Sequence, residues 1–127
     1  MRSLLTFVTQ HQTNRVDAEQ TAGQIRELLG AEWRIVRVEK YHKFDDAFMI
    51  DLECSLSNDD LSWVNNRAIV LTDRIVSPWL AYYDREVNTL ELIFNHDANT
   101  RGRTLDHSVL RWGQWQTVRD HDISERE

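Results

Sequence analysis

Hydrophobic and polar residues alternate most clearly between Phe48 and Leu56. Phe48, Ile50, Leu52, Cys54 and Leu56 interleave with Met49, Asp51, Glu53 and Ser55. A period of two predicts a strand with one buried and one wet face. Trp33–Tyr41 predicts another strand, and the turn Lys43–Asp46 joins the two as an antiparallel hairpin. Ser3–Gln10 also reads as a strand, with β-formers and apolar groups on both faces.

The period lengthens to that of a helix in two places. Ala18, Ala22, Ile25 and Leu29 form one stripe. Asp17 and Gln20 have capping-box spacing at its start, and Gly30 suits its end. A second helix begins near Ser57–Asp60 and carries Leu61, Val64, Ala68, Leu71 and Ile75 at steps of three and four. Pro78 stops it, because Ser77 before it is pushed out of helical geometry.

Trp79–Tyr83 and Thr89–Asn95 predict two further strands around a polar turn. Residues 96–107 are polar and turn-rich. Val109–Val118, with Trp112 and Trp115, reads as a last strand or a short helix.

The order is β-α-β-β-α-β-β with an open end. That predicts an α+β fold, a ferredoxin-like β-α-β-β-α-β sandwich. Its sheet is mainly antiparallel, both helices lie on one face, and the C-terminal strands are additions. Residues 1–118 are expected to form one domain, and the charged segment 119–127 a frayed tail.

Composition narrows the class. The single cysteine, Cys54, excludes an internal disulfide framework and a multi-cysteine zinc site. Its place on the apolar side of a strand marks it as a core residue rather than a nucleophile. The apolar residues near the start are interrupted by Thr6 and Thr9, so no signal peptide is written there. No apolar run approaches the roughly 18 residues of a spanning helix. The expected location is the cytoplasm.

Charge adds a feature that the pattern does not show. The net charge is −6, and residues 44–60 hold six acids and no base. One short stretch therefore carries an excess equal to that of the whole chain. Such an average surface repels a phosphate backbone and disfavours nucleic acid. Arg101, Arg103, Arg111 and Arg119 near Trp112 and Trp115 form a counter-patch, but Asp97, Asp106, Asp120 and Asp122 cancel it locally.

Candidate chemistry is sparse. With only Gly23, Gly30, Gly102 and Gly113, neither a phosphate loop nor a dinucleotide fingerprint can be written. His96, Asp97, Asp106 and His107 are metal-competent types without a compact metal-binding spacing, so no metal and no cofactor is expected. Asp51 and Glu53 share a wet strand face, which lacks the apolar pocket a general acid needs. No catalytic residue is assigned.

What remains is a non-enzymatic protein-binding module. At class level the chain is similar to bacterial immunity proteins and antitoxins: small, acidic, and free of catalytic motifs. The expected partner is a basic protein, such as a toxin nuclease domain. The expected docking residues are Asp45, Asp46, Asp51, Glu53, Asp59 and Asp60, with Tyr41, Phe44 and Trp63 as aromatic anchors. These acids are expected to converge at one edge of the sandwich. The alternative is a small-molecule-binding or enzymatic domain using the open sheet face. A homodimer through sheet or helix faces is compatible with either.

Overall fold

Residues directly opposite one another in an antiparallel ladder share a face of the sheet, so the register locates the core. The computed structural model describes residues 1–102 and 105–119. Along the chain come β1 (Arg2–Thr9), α1 (Arg15–Leu29), β2 (Arg34–Lys40), β3 (Phe48–Ser55), α2 (Leu61–Ile75), β4 (Val76–Ser77), β5 (Leu80–Asp84), β6 (Thr89–Asn95), β7 (Arg101–Gly102) and β8 (Leu110–Val118). Six strands form one antiparallel sheet in the order β2-β3-β1-β8-β6-β5, and β4 pairs with β7 apart from it.

Leu5 lies opposite Leu52 and Trp115, Phe7 opposite Ile50 and Gly113, and Leu92 opposite Trp115. These residues point to one side, where Leu5, Phe7, Ile50, Leu52 and Trp115 are fully buried. Both helices cover that side, α1 over β2 and β3, α2 reaching β6, and they touch each other. Ala18, Ala22, Ile25 and Leu29 of α1 are buried there, as are Val64, Ala68, Leu71 and Ile75 of α2. Both helical stripes and the alternation of β3 fall as the pattern predicts, except that Leu61 at the start of α2 and Leu56 just past β3 are only partly buried; Cys54 is buried. Among the described residues, no α-helix covers the other side of the sheet.

The α+β sandwich stands, with a six-stranded antiparallel sheet and two helices. The strand order departs from a four-stranded ferredoxin-like arrangement in its second half. There, the strand after the second helix lies beside the first strand. Here the chain leaves α2, builds the hairpin β5–β6 at the far side, and returns so that β8 fills the place beside β1. The segment that reads ambiguously in sequence is therefore a central strand. Gly113 explains why. A Cβ at Gly113 would stand 2.7 Å from Cε1 of Phe7 and 3.0 Å from Trp79, so neighbouring rings fill the space its side chain would take. The core-side alternation of β8 is broken for that reason.

The cap of α1 also differs. Asn14, not Asp17, is the N-cap: its Oδ1 accepts the Asp17 N–H at 2.9 Å. Asp60 caps α2 by accepting the Ser62 N–H at 3.0 Å. Gly30 ends α1 at φ 127°, a backbone region that favours glycine. Among the described residues, no helix is long and apolar enough to cross a membrane. Residues 120–127 of the expected tail, and Arg103, lie outside the described residues.

Candidate functional site

The six acids of residues 44–60 do not converge. Asp45 and Asp46 precede β3, and Asp59 and Asp60 follow it, so the whole strand separates the two pairs. Eight strand residues span about 25 Å. The expected docking set divides into three groups.

The first group lies in the β2–β3 loop, with Tyr41, Phe44, Asp45 and Asp46. Asp46 is a hub. Its Oδ2 accepts the His11 backbone N–H at 2.9 Å, and its Oδ1 accepts from Arg111 Nη2 at 3.0 Å. The His11 N–H, followed by the Arg111 charge, holds the Asp46 carboxyl below its ordinary value. Arg111 also stacks on the Phe44 ring, 3.9 Å from its centroid, and Tyr41 lies 6.1 Å from Phe44. Arg111, from the expected counter-patch, is thus committed to Asp46 and Phe44.

The second group lies on the helix-free face. Asp51 accepts from Thr6 Oγ1 at 2.6 Å and from Arg37 Nε at 2.6 Å. Glu53 accepts from Arg2 Nη1 at 3.0 Å and also pairs with Arg34. These carboxylates are only 22% and 13% exposed, because arginines from β1 and β2 close over them. They hold strands together and are not free for a partner.

The third group opens α2. Asp59 is exposed, Asp60 is the cap, and Trp63 is half exposed. The Arg67 guanidinium lies between two indoles, 5.6 Å from the Trp63 ring and 5.7 Å from the Trp33 ring, and pairs with Glu32 at 3.1 Å.

The metal-competent residues do meet in part. The rings of His96 and His107 lie 5.9 Å apart. Their acidic neighbours serve the backbone instead. Asp97 Oδ1 accepts the Asn99 N–H at 2.7 Å, and Asp106 Oδ1 accepts both the Ser108 hydroxyl at 2.6 Å and the Ser108 N–H at 3.1 Å. The Ser108 bonds lower the Asp106 pKa. Among the described residues, no group of three or more His, Cys, Asp or Glu is placed to hold a metal ion.

A different surface, the strand β5, is exposed along its whole length. All five residues of β5 are exposed, with Leu80 at 59%, Tyr82 at 56% and Tyr83 at 51%. Among the described residues β5 is an edge of the sheet, paired only with β6. Beside it, at the hairpin turn, lies an open concavity of about 670 Å³, whose lining includes Tyr82, Tyr83, Asp84, Arg85, Glu86 and Glu91. Asp84 accepts the Glu86 N–H at 3.0 Å, and Glu91 accepts from Gln114 Nε2 at 3.1 Å. Arg119 reaches the Val87 carbonyl at 3.4 Å on the same side. No ion pair among the described residues involves Asp84 or Glu86.

Sequence reasoning passed over this surface. The run Leu80-Ala81-Tyr82-Tyr83 is equally suited to a covered strand, and only the strand order makes it an edge. Its available signal was the absence of a charge or proline within the run.

Compared with protein-family models, curated proteins and solved structures, the chain matches none.

Proposed function

We propose that the chain is a non-catalytic protein-binding domain, of the small acidic inhibitor kind represented by immunity proteins and antitoxins. It binds a basic protein partner through the β5 side of its sheet. The observation that supports this most is the state of that edge. Five consecutive exposed residues, four of them Leu, Ala or Tyr, are an unusual cost to leave on an edge strand unless something covers them. The net charge of −6 favours a cationic partner and speeds its encounter. The acids of residues 44–60 contribute to that field, while Asp46, Asp51, Glu53 and Asp60 are already occupied within the fold.

The test uses the wild-type chain and a Leu80→Lys/Tyr82→Lys variant side by side as bait in the native host. The captured protein is then purified and remixed with each chain. The expected result is a one-to-one complex with the wild type and binding weakened at least about tenfold in the variant, as loss of central aromatic anchors does. Equal binding by both chains, or no complex from purified components, would contradict the proposal.

A further inference from the structure

The two edges of the sheet are built in opposite ways. β2 presents Arg34, Arg37, Glu39 and Lys40, and its ladder with β3 is interrupted between Ile35 and Arg37. Charged side chains and an irregular ladder are what prevent another strand from adding. β5 has neither device before Asp84, and its register with β6 is continuous over all five residues. Alternate N–H and C=O groups of such a strand face away from the sheet and are free to pair with another chain.

The side chains around that edge give a chemical preference. Tyr82 lies opposite Glu91 and Leu80 opposite Ile93, so both point to the helix-free face, while Tyr83 lies opposite Leu90 on the other. The concavity at the turn end brings the two tyrosines beside three carboxylates, Asp84, Glu86 and Glu91, with Arg85 as the one base among the described residues of its lining. A ring face next to carboxylates that have no ion pair among the described residues is a receptor for a cation.

We propose that β5 docks an extended basic segment of a partner protein, which adds to the sheet as a seventh strand and sets a Lys or Arg side chain against Tyr82 and the carboxylates of Asp84 and Glu86. This rests on the protein-binding reading and names the segment that is bound. Backbone pairing along the edge supplies affinity regardless of sequence, and alternate side chains supply the selection. A second copy of this chain is the poorer occupant, because it brings the same acidic concavity and the same net charge of −6 to the contact.

The probes are two blocked hexapeptides, one alternating Lys and Val, the other alternating Glu and Val, titrated into the full-length chain at low salt and followed by backbone amide NMR. The Lys–Val peptide is expected to shift the signals of residues 80–91 and to leave those of 34–40 in place, and the Glu–Val peptide to shift neither. Tyr82→Lys should weaken Lys–Val binding at least about tenfold. Asp84→Asn with Glu86→Gln should weaken it several-fold and flatten its salt dependence. All these positions are exposed, and an unchanged melting temperature verifies that each variant is folded. Equal binding of the two peptides, shifts centred on β2, or a free chain that is already dimeric with β5 amides protected would overturn the proposal. A native complex that is indifferent to Asp84→Asn with Glu86→Gln but is lost in Leu80→Lys/Tyr82→Lys counts against the basic segment alone. A chain that forms no native complex counts against the binding reading as well.

Discussion

At the β2 edge the carboxylates of the adjoining strand are paired with arginines; at the β5 edge Asp84 and Glu86 have no ion pair among the described residues. Asp51 and Glu53 stand on β3, and Arg37, Arg34 and Arg2 from the two flanking strands close over them. Asp84 and Glu86 stand at the other side of the same sheet and have no such partner among the described residues. The contrast extends to the apolar groups. Val38 of β2 is buried, whereas no residue of β5 is. A local surplus of acid in sequence is therefore a poor guide to where a surface is available. What decides is which strands the fold brings alongside.

The largest test of this contrast is in stability. Ile50→Ala, beneath the helices near the β2 side, should cost about 2–5 kcal/mol, as truncation in a filled core does. Leu80→Ala on the β5 edge should stay within about 0.5 kcal/mol. Urea unfolding of both variants measures the difference, and a comparable loss from Leu80→Ala would mean that β5 is covered in solution. Gly113→Ala should fall between them, at about 1–3 kcal/mol, because the added methyl would meet the Phe7 ring at 2.7 Å.

A smaller effect is expected from the ion pairs. Arg37 is 41% exposed, so Arg37→Ala should cost no more than about 1 kcal/mol. It also removes an edge charge, and the contrast between edges would sharpen if the variant, unlike the wild type, begins to self-associate with rising concentration through β2. Light scattering over a concentration series reads this. The smallest effect is in Asp46. Folding lowers its pKa, so the ionised carboxyl favours the fold above the ordinary value of 3.8, and this contribution fades as pH falls through the lowered value. Carboxyl NMR should place its midpoint below 3.8, and His11→Gly, which keeps the backbone N–H, should move it less than Arg111→Ala. The His11 backbone bond survives in both variants, and the Arg111 charge lowers the pKa more than the His11 side chain does.

Much of this was legible in the residues. The alternation of Phe48, Ile50, Leu52 and Cys54 specified both the strand and its buried face, since a shift of one residue would have buried Asp51 and Glu53 instead. The two helical stripes were equally direct. The place of β8 was not, because Phe7 and Trp79 fill the space above Gly113 and leave no apolar residue there to complete the pattern. Within the site, the acidic surplus was visible but its neutralisation was not. Asp46 meets Arg111, 65 positions away, and Glu53 meets Arg2, 51 positions away, and neither spacing carries a signal in a single sequence. The edge character of β5 belongs to the strand order, which local periodicity does not encode.

Backbone hydrogen exchange of the chain alone and in its native complex compares the two edges most directly. The amides within 80–84 that face away from β6 are expected to exchange readily in the free chain and to become protected on binding, while those of 34–40 are unchanged. Protection that appears at 34–40 and not at 80–84 would contradict the account.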